Sequence, residues 1–184
     1  MKGKLAIFDL DGTLFDTSEV NYHAYKDALE QYGYELDHDL FVNEFNGMHY
    51  KTFLPRIMQE TGDMEAVHDA KKAAYGKNLD KARENIHLIN IAKALKEEYH
   101  LAIVTTASKK NTYEILDYFG YTGLFDLILT AEDIKKVKPD PEGFLMAMAY
   151  FGTDSEATVI FEDSEAGIKA GCATEAGVMV VKSF

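Results

Sequence analysis

The chain has 184 residues, 47% of them hydrophobic and 27% charged, which suits one folded domain, or one domain with a small insertion, and excludes disorder as the main state. Lys and Arg number 19 against 31 Asp and Glu, and the net charge of −12 argues against nucleic acid or an anionic membrane as partner. One cysteine, Cys172, allows no intrachain disulfide, and no apolar run reaches the length of a signal peptide core or a membrane span, so a cytoplasmic protein is expected.

Residues 4–8, Lys-Leu-Ala-Ile-Phe, read as a short buried strand that ends in Asp9-Leu10-Asp11-Gly12. Asp16 is expected to cap the next helix, with Glu19 as its reciprocal partner in a capping box. Val20, Ala24, Ala28 and Tyr32 follow at fourfold spacing, and Gly33 ends that helix. Further helices are expected over 39–46, around 53–58 up to Gly62, and over 64–82. The pattern then alternates. Helices are expected over 88–98, 111–119, 141–151 and 165–173. Strands are expected at Leu101–Val104, Leu127–Leu129, Thr158–Phe161 and Val178–Val181. Strands alternating with helices imply an α/β fold, with a parallel sheet covered on both faces. The helical stretch after the first strand is too long for a simple crossover. It reads as an inserted helical domain over 16–82, leaving 1–15 and 83–184 as the core.

The residues that carry chemistry lie where strands end, which is where open α/β sheets build their sites. Asp9 and Asp11 are two apart, so their carboxylates lie on the same side. Two such acids repel, and either a proton or a cation must relieve them. An ordinary Asp-Gly turn is the alternative reading of this pair. Val104-Thr105-Thr106-Ala107-Ser108 ends a second strand. A hydroxyl there suits a phosphate oxygen, and equally a helix N-cap. Lys138, set before Pro139-Asp140-Pro141, is a point charge suited to phosphate, or one of a solvated group with Lys135 and Lys136. Glu162-Asp163-Ser164 offers two more acids for a hard cation, or a helix cap with acids favoured by the dipole.

Together, the order DxDGT, Thr-Ala-Ser, Lys-Pro, Glu-Asp-Ser resembles the haloacid dehalogenase-like hydrolase superfamily, over roughly residues 4–182. Phe8–Thr17, Lys-Pro-Asp-Pro and Phe161-Glu-Asp-Ser-Glu-Ala-Gly167 look like its β-phosphoglucomutase and phosphoglycolate phosphatase branch. The resemblance implies a Rossmann-like core with a helical cap inserted after the first motif. It implies Asp9 as a nucleophile that forms an aspartyl-phosphate, and Asp11 as general acid, then base. It implies Thr106, Ala107 and Lys138 as the phosphate-binding residues. It implies a Mg²⁺ held by Asp9, the backbone carbonyl of Asp11, Asp163 and, directly or through water, Glu162. The expected partner is a small phosphate ester.

Some positions depart from the pattern. His87-Leu88-Ile89-Asn90 stands where the family often has Pro-Gly, and the extra residue after Ser108 leaves Thr105 as an alternative to Thr106. Asn21, rather than His23, aligns best with a histidine of the sugar-phosphate mutases. Asn46-Gly47-Met48-His49-Tyr50-Lys51 resembles the cap loop that selects substrate, with His49 and Lys51 as candidate contacts; a solvated interhelical loop is the alternative. A Mg²⁺-dependent phosphomonoester phosphatase is the expected function. A sugar-phosphate mutase is one rival, and a non-catalytic phospho-acceptor domain is another, against which Asp11 argues.

Overall fold

The computed structural model describes residues 3–58 and 62–182. In chain order these form β1 (Lys4–Phe8), β2 (Phe15–Asp16), α1 (Ser18–Gln31), α2 (His38–Leu40), α3 (Tyr50–Met58), α4 (Met64–Tyr75) and β3 (Arg83–Glu84). Then follow α5 (Ile86–Leu95), β4 (Tyr99–Val104), α6 (Lys109–Tyr118), β5 (Leu127–Leu129), α7 (Glu142–Phe151), β6 (Thr158–Glu162), α8 (Glu165–Cys172) and β7 (Gly177–Val180). The chain divides into two compact units, Met1–Asp16 with Arg83–Phe184, and Thr17–Ala82.

The first unit is α/β and Rossmann-like. Its five strands are parallel, in the order β5-β4-β1-β6-β7. β1 is central and apolar, and every residue after Lys4 is buried, as a strand covered on both faces requires. Alternation divides its side chains. Leu5 and Ile7 join Ala102, Val104, Ile160, Phe144, Ala147 and Ala170 in one cluster, which α7 and α8 cover. Phe8 points the other way, stacks on Phe161 at 4.7 Å and meets Phe125 edge-on at 6.0 Å. From β1 the chain runs outward to β4 and β5, then returns to β6 and β7 on the opposite side. The carboxyl ends of β1, β4 and β6 therefore meet at the reversal of strand order, where such sheets form their crevice.

The second unit is helical. Tyr25 meets Phe53 edge-on at 4.9 Å and lies 5.8 Å from Phe41, while Phe45 stacks on Phe53 at 5.3 Å. These rings, with Leu29, Leu54, Met58 and Val67, form a core of its own. No helix among the described residues is long and apolar enough to cross a membrane.

Three local expectations need correction. Asp16 does not cap α1; it lies in β2, where it pairs with Arg83 of β3 and accepts a hydrogen bond from its guanidinium. Thr17 is the N-cap and makes no side-chain cap bond, while Glu19 accepts from His38 Nε2 at 2.8 Å rather than closing a capping box. The helix expected over 64–82 ends at Tyr75 and tightens into a 3₁₀ turn over Gly76–Lys81. The helix expected over 39–46 begins as α2 and widens into a π turn over Phe41–Phe45, which buries Phe41 and Phe45. The end of the third expected helix, towards Gly62, falls partly outside the described residues.

Candidate active site

Lys138 is the centre of the site. Its Nζ donates to Asp9 Oδ1 at 2.6 Å, to Glu162 Oε1 at 2.6 Å and to the Val104 carbonyl at 2.9 Å. An ammonium has three protons, so these bonds use its donor capacity in full. The ion pairs are buried: side-chain exposure is 9% for Lys138, 10% for Asp9 and 0% for Glu162. The sheet produces this meeting, because Asp9 follows β1, Val104 ends β4 and Glu162 ends β6.

Burial is the largest influence on the Asp9 carboxyl and holds it above the usual carboxylate range; Lys138 pulls against it, and the Glu162 and Asp11 charges add to it. Burial lowers the Lys138 ammonium, but the Asp9 and Glu162 carboxylates outweigh it and raise it above an ordinary lysine. Asp163 is raised by burial, against a stabilising hydrogen bond from Thr13. One cation among so many acids leaves the site electron-rich.

Two glycines make room for the acids. Gly12 has φ +87, and a Cβ there would lie 2.2 Å from Asp163 Oδ2. Only glycine turns this way and also admits the carboxylate. Beside it, the Thr13 hydroxyl donates to Asp163 Oδ1 at 2.8 Å. Gly167, in the first turn of α8, lies against Glu162: a Cβ there would meet Oε1 at 1.7 Å.

That contact yields a prediction opposite to helix propensity. Gly to Ala inside a helix normally stabilises by about 1 kcal/mol. At Gly167 the methyl would displace a carboxylate pinned by Lys138 and Ser164, and overpacking of this kind costs about 1–3 kcal/mol. Gly167→Ala is therefore expected to lower the urea midpoint and to reduce turnover. A raised midpoint would show that Glu162 moves aside freely.

The structure brings Asp9, Lys138, Glu162 and Asp163 together. Asp9, Glu162 and Asp163 offer carboxylate oxygens within 4.8 Å of one another, and the carboxylate of Asp11 lies outside that group. An all-oxygen, strongly acidic donor set fits a hard divalent cation such as Mg²⁺. Thr105 and Thr106 both line a small cavity with Lys138; Thr106 is exposed, whereas Thr105 is 1% exposed and its Oγ accepts from Ala107 N at 3.0 Å. The Ala107 N–H is thus satisfied by the Thr105 hydroxyl oxygen. In the helical unit, Lys51 pairs with Glu65 at 2.8 Å and its backbone N–H donates to His49 Nδ1 at 3.3 Å. Thr13, Ser164 and Gly167 escaped the sequence reading as site residues, although each lies inside a motif it singled out.

A family model described as haloacid dehalogenase-like hydrolase matches residues 6–182. The pyrophosphatase PpaX of Bacillus velezensis is 31% identical over 183 residues, covering 96% of this chain and 83% of that protein. A phosphorylated carbohydrates phosphatase of Thermotoga maritima is 30% identical over 182 residues, covering 94% and 81%. Among solved structures, a candidate β-phosphoglucomutase from Thermotoga maritima has a TM-score of 0.78 at 28% identity, covering 98% of this chain and 87% of that one.

Proposed function

The chain belongs to the haloacid dehalogenase-like hydrolases, and from that premise we propose that it is a Mg²⁺-dependent phosphatase of a small phosphorylated metabolite, acting through an aspartyl-phosphate. The observation that carries this reading is the buried Lys138 joined to Asp9 and Glu162 at the sheet reversal, with Asp163 alongside. The named relatives, a carbohydrate-phosphate phosphatase and a pyrophosphatase, support the reaction class.

In this reading an Asp9 oxygen attacks phosphorus and the ester oxygen departs with a proton from Asp11. Water then gives a proton to Asp11 and attacks the same phosphorus, which releases phosphate and restores Asp9. Lys138, exchanging one of its three present bonds, and Thr106 hold the phosphoryl oxygens, with Ala107 in the same loop. Asp9, Asp163 and the backbone carbonyl of Asp11 are the residues that would hold Mg²⁺ directly, and Glu162, whose oxygens are taken by Lys138 and Ser164, would contribute through water. The bound ion would offset the clustered carboxylates and let Asp9 approach a phosphate dianion. The helical unit is assigned the role of a cap that selects substrate, with His49 and Lys51 as its contacts.

The test is a screen of phosphorylated metabolites that follows both phosphate release and isomer formation. Free phosphate is expected, with activity abolished by exhaustive chelation and poorly restored by Ca²⁺, which accepts more ligands and looser geometry than Mg²⁺. Isomerised product without net phosphate release would favour a mutase, the reading suggested by the β-phosphoglucomutase likeness. Asp11→Ala should separate the acid role further. General acid help contributes about 10²–10⁴-fold, and alkoxide leaving groups need it most. In the phosphorylation step, alkyl phosphates should therefore lose more than an aryl phosphate; equal losses would remove Asp11 from that role.

A further inference from the structure

Behind Lys138 the contacts continue through Glu162 to Ser164. The two oxygens of Glu162 are used differently. Oε1 accepts from Lys138 Nζ at 2.6 Å, and Oε2 accepts from both the backbone N–H and the hydroxyl of Ser164, each at 3.0 Å. Gly167 closes over the same carboxylate, which is fully buried. Ser164 Oγ also accepts from Gly167 N at 3.0 Å, as the N-cap of α8.

A helix cap alone does not call for a serine in this position. Asp or Asn would cap as well, and Gly costs only a few tenths of a kcal/mol. What Asp cannot do is donate to a neighbouring carboxylate. A fully buried carboxylate needs both oxygens satisfied, and a free one would reorient or draw Lys138 away from Asp9.

We propose that Ser164 is a positioning residue: its two donors on Oε2 aim Oε1 of Glu162 at Lys138, and so fix the ammonium that reaches Asp9. The inference rests on the phosphatase reading, in which Lys138 holds the phosphoryl group. It makes Glu162 the support of Lys138, with Ser164 as its anchor. The backbone N–H of Ser164 remains in any variant, so the hydroxyl is the part that substitution can test.

The experiment compares the unsubstituted 184-residue chain with Ser164→Gly and Ser164→Thr. Each is titrated calorimetrically with inorganic phosphate in the presence of Mg²⁺, and separately with Mg²⁺ alone. Melting temperatures are recorded alongside. Ser164→Gly is expected to weaken phosphate binding about tenfold, equivalent to about 1.4 kcal/mol and near the lower end for a hydrogen bond to a charged group. Its Mg²⁺ affinity should stay close to wild type while its melting temperature falls modestly, and Ser164→Thr should restore both phosphate affinity and melting temperature. Unchanged phosphate affinity in Ser164→Gly, with or without a lower melting temperature, would reduce Ser164 to a helix cap and overturn the proposal. So would a loss of Mg²⁺ affinity with phosphate binding intact. A wild-type chain that neither binds phosphate nor releases it from esters would overturn the phosphatase reading first, and this inference with it.

Discussion

Asp9→Asn is expected to abolish steady-state phosphatase activity, by about 10³-fold or more, while the protein still folds. The amide has nearly the shape of the carboxylate but cannot serve as nucleophile. The substitution removes one charge from a pocket where Asp9 is buried and bonded to Lys138 at 2.6 Å. It loses an ion pair and also the cost of burying the anion, two terms of opposite sign. Stability should therefore stay within about 1–2 kcal/mol of wild type. Phosphate binding should survive better than turnover, because Lys138 keeps Glu162 as its partner. Substantial turnover by purified Asp9→Asn would contradict the assignment, whatever its stability.

Lys138→Met should differ, with a large stability loss as well as a loss of activity. Methionine can fill much of the lysine stem's space, beside the Phe144 ring over which Nζ lies at 5.1 Å. It cannot replace the ammonium. Asp9 and Glu162 would be left as buried acids that have lost their shared cation, and Val104 would lose a donor to its carbonyl. Breaking a buried pair by removing one partner costs about 3–5 kcal/mol. Urea denaturation with a chelator present should show that loss, and added Mg²⁺ should recover part of it. A loss under about 1 kcal/mol, the scale of an exposed pair, would mean that Lys138 contributes little to holding the site together.

Asp9, Lys138, Glu162 and Asp163 were legible because each stands at or beyond a strand end or beside a proline turn. Topology brings such positions together even where 129 residues separate Lys138 from Asp9. The sheet was legible for the same reason, since its buried strands are short apolar runs divided by helical periods. The bond pattern was not. Nothing in Glu-Asp-Ser says that the serine faces the glutamate rather than solvent, because that depends on the closing of α8 over β6. Thr105 and Thr106 both follow β4 directly, and the sequence could not say that the first is buried and the second exposed. The Asp16–Arg83 pairing joins two-residue strands, too short for any alternation to register. Asp16 followed by Glu19 matched a capping box in composition, but the residue that begins α1 is fixed by where β2 ends.

The central claim, that Asp9 carries the phosphoryl group during turnover, can be tested chemically. The enzyme is mixed with substrate and Mg²⁺, quenched in acid within the first turnovers, reduced with borohydride and digested for peptide mass spectrometry. Reduction of an aspartyl-phosphate leaves homoserine. The account predicts homoserine at position 9 in the peptide containing Phe8-Asp9-Leu10-Asp11, and none in a sample quenched without substrate. Rapid phosphate release with Asp9 unmodified, or modification at a different carboxylate, would contradict it.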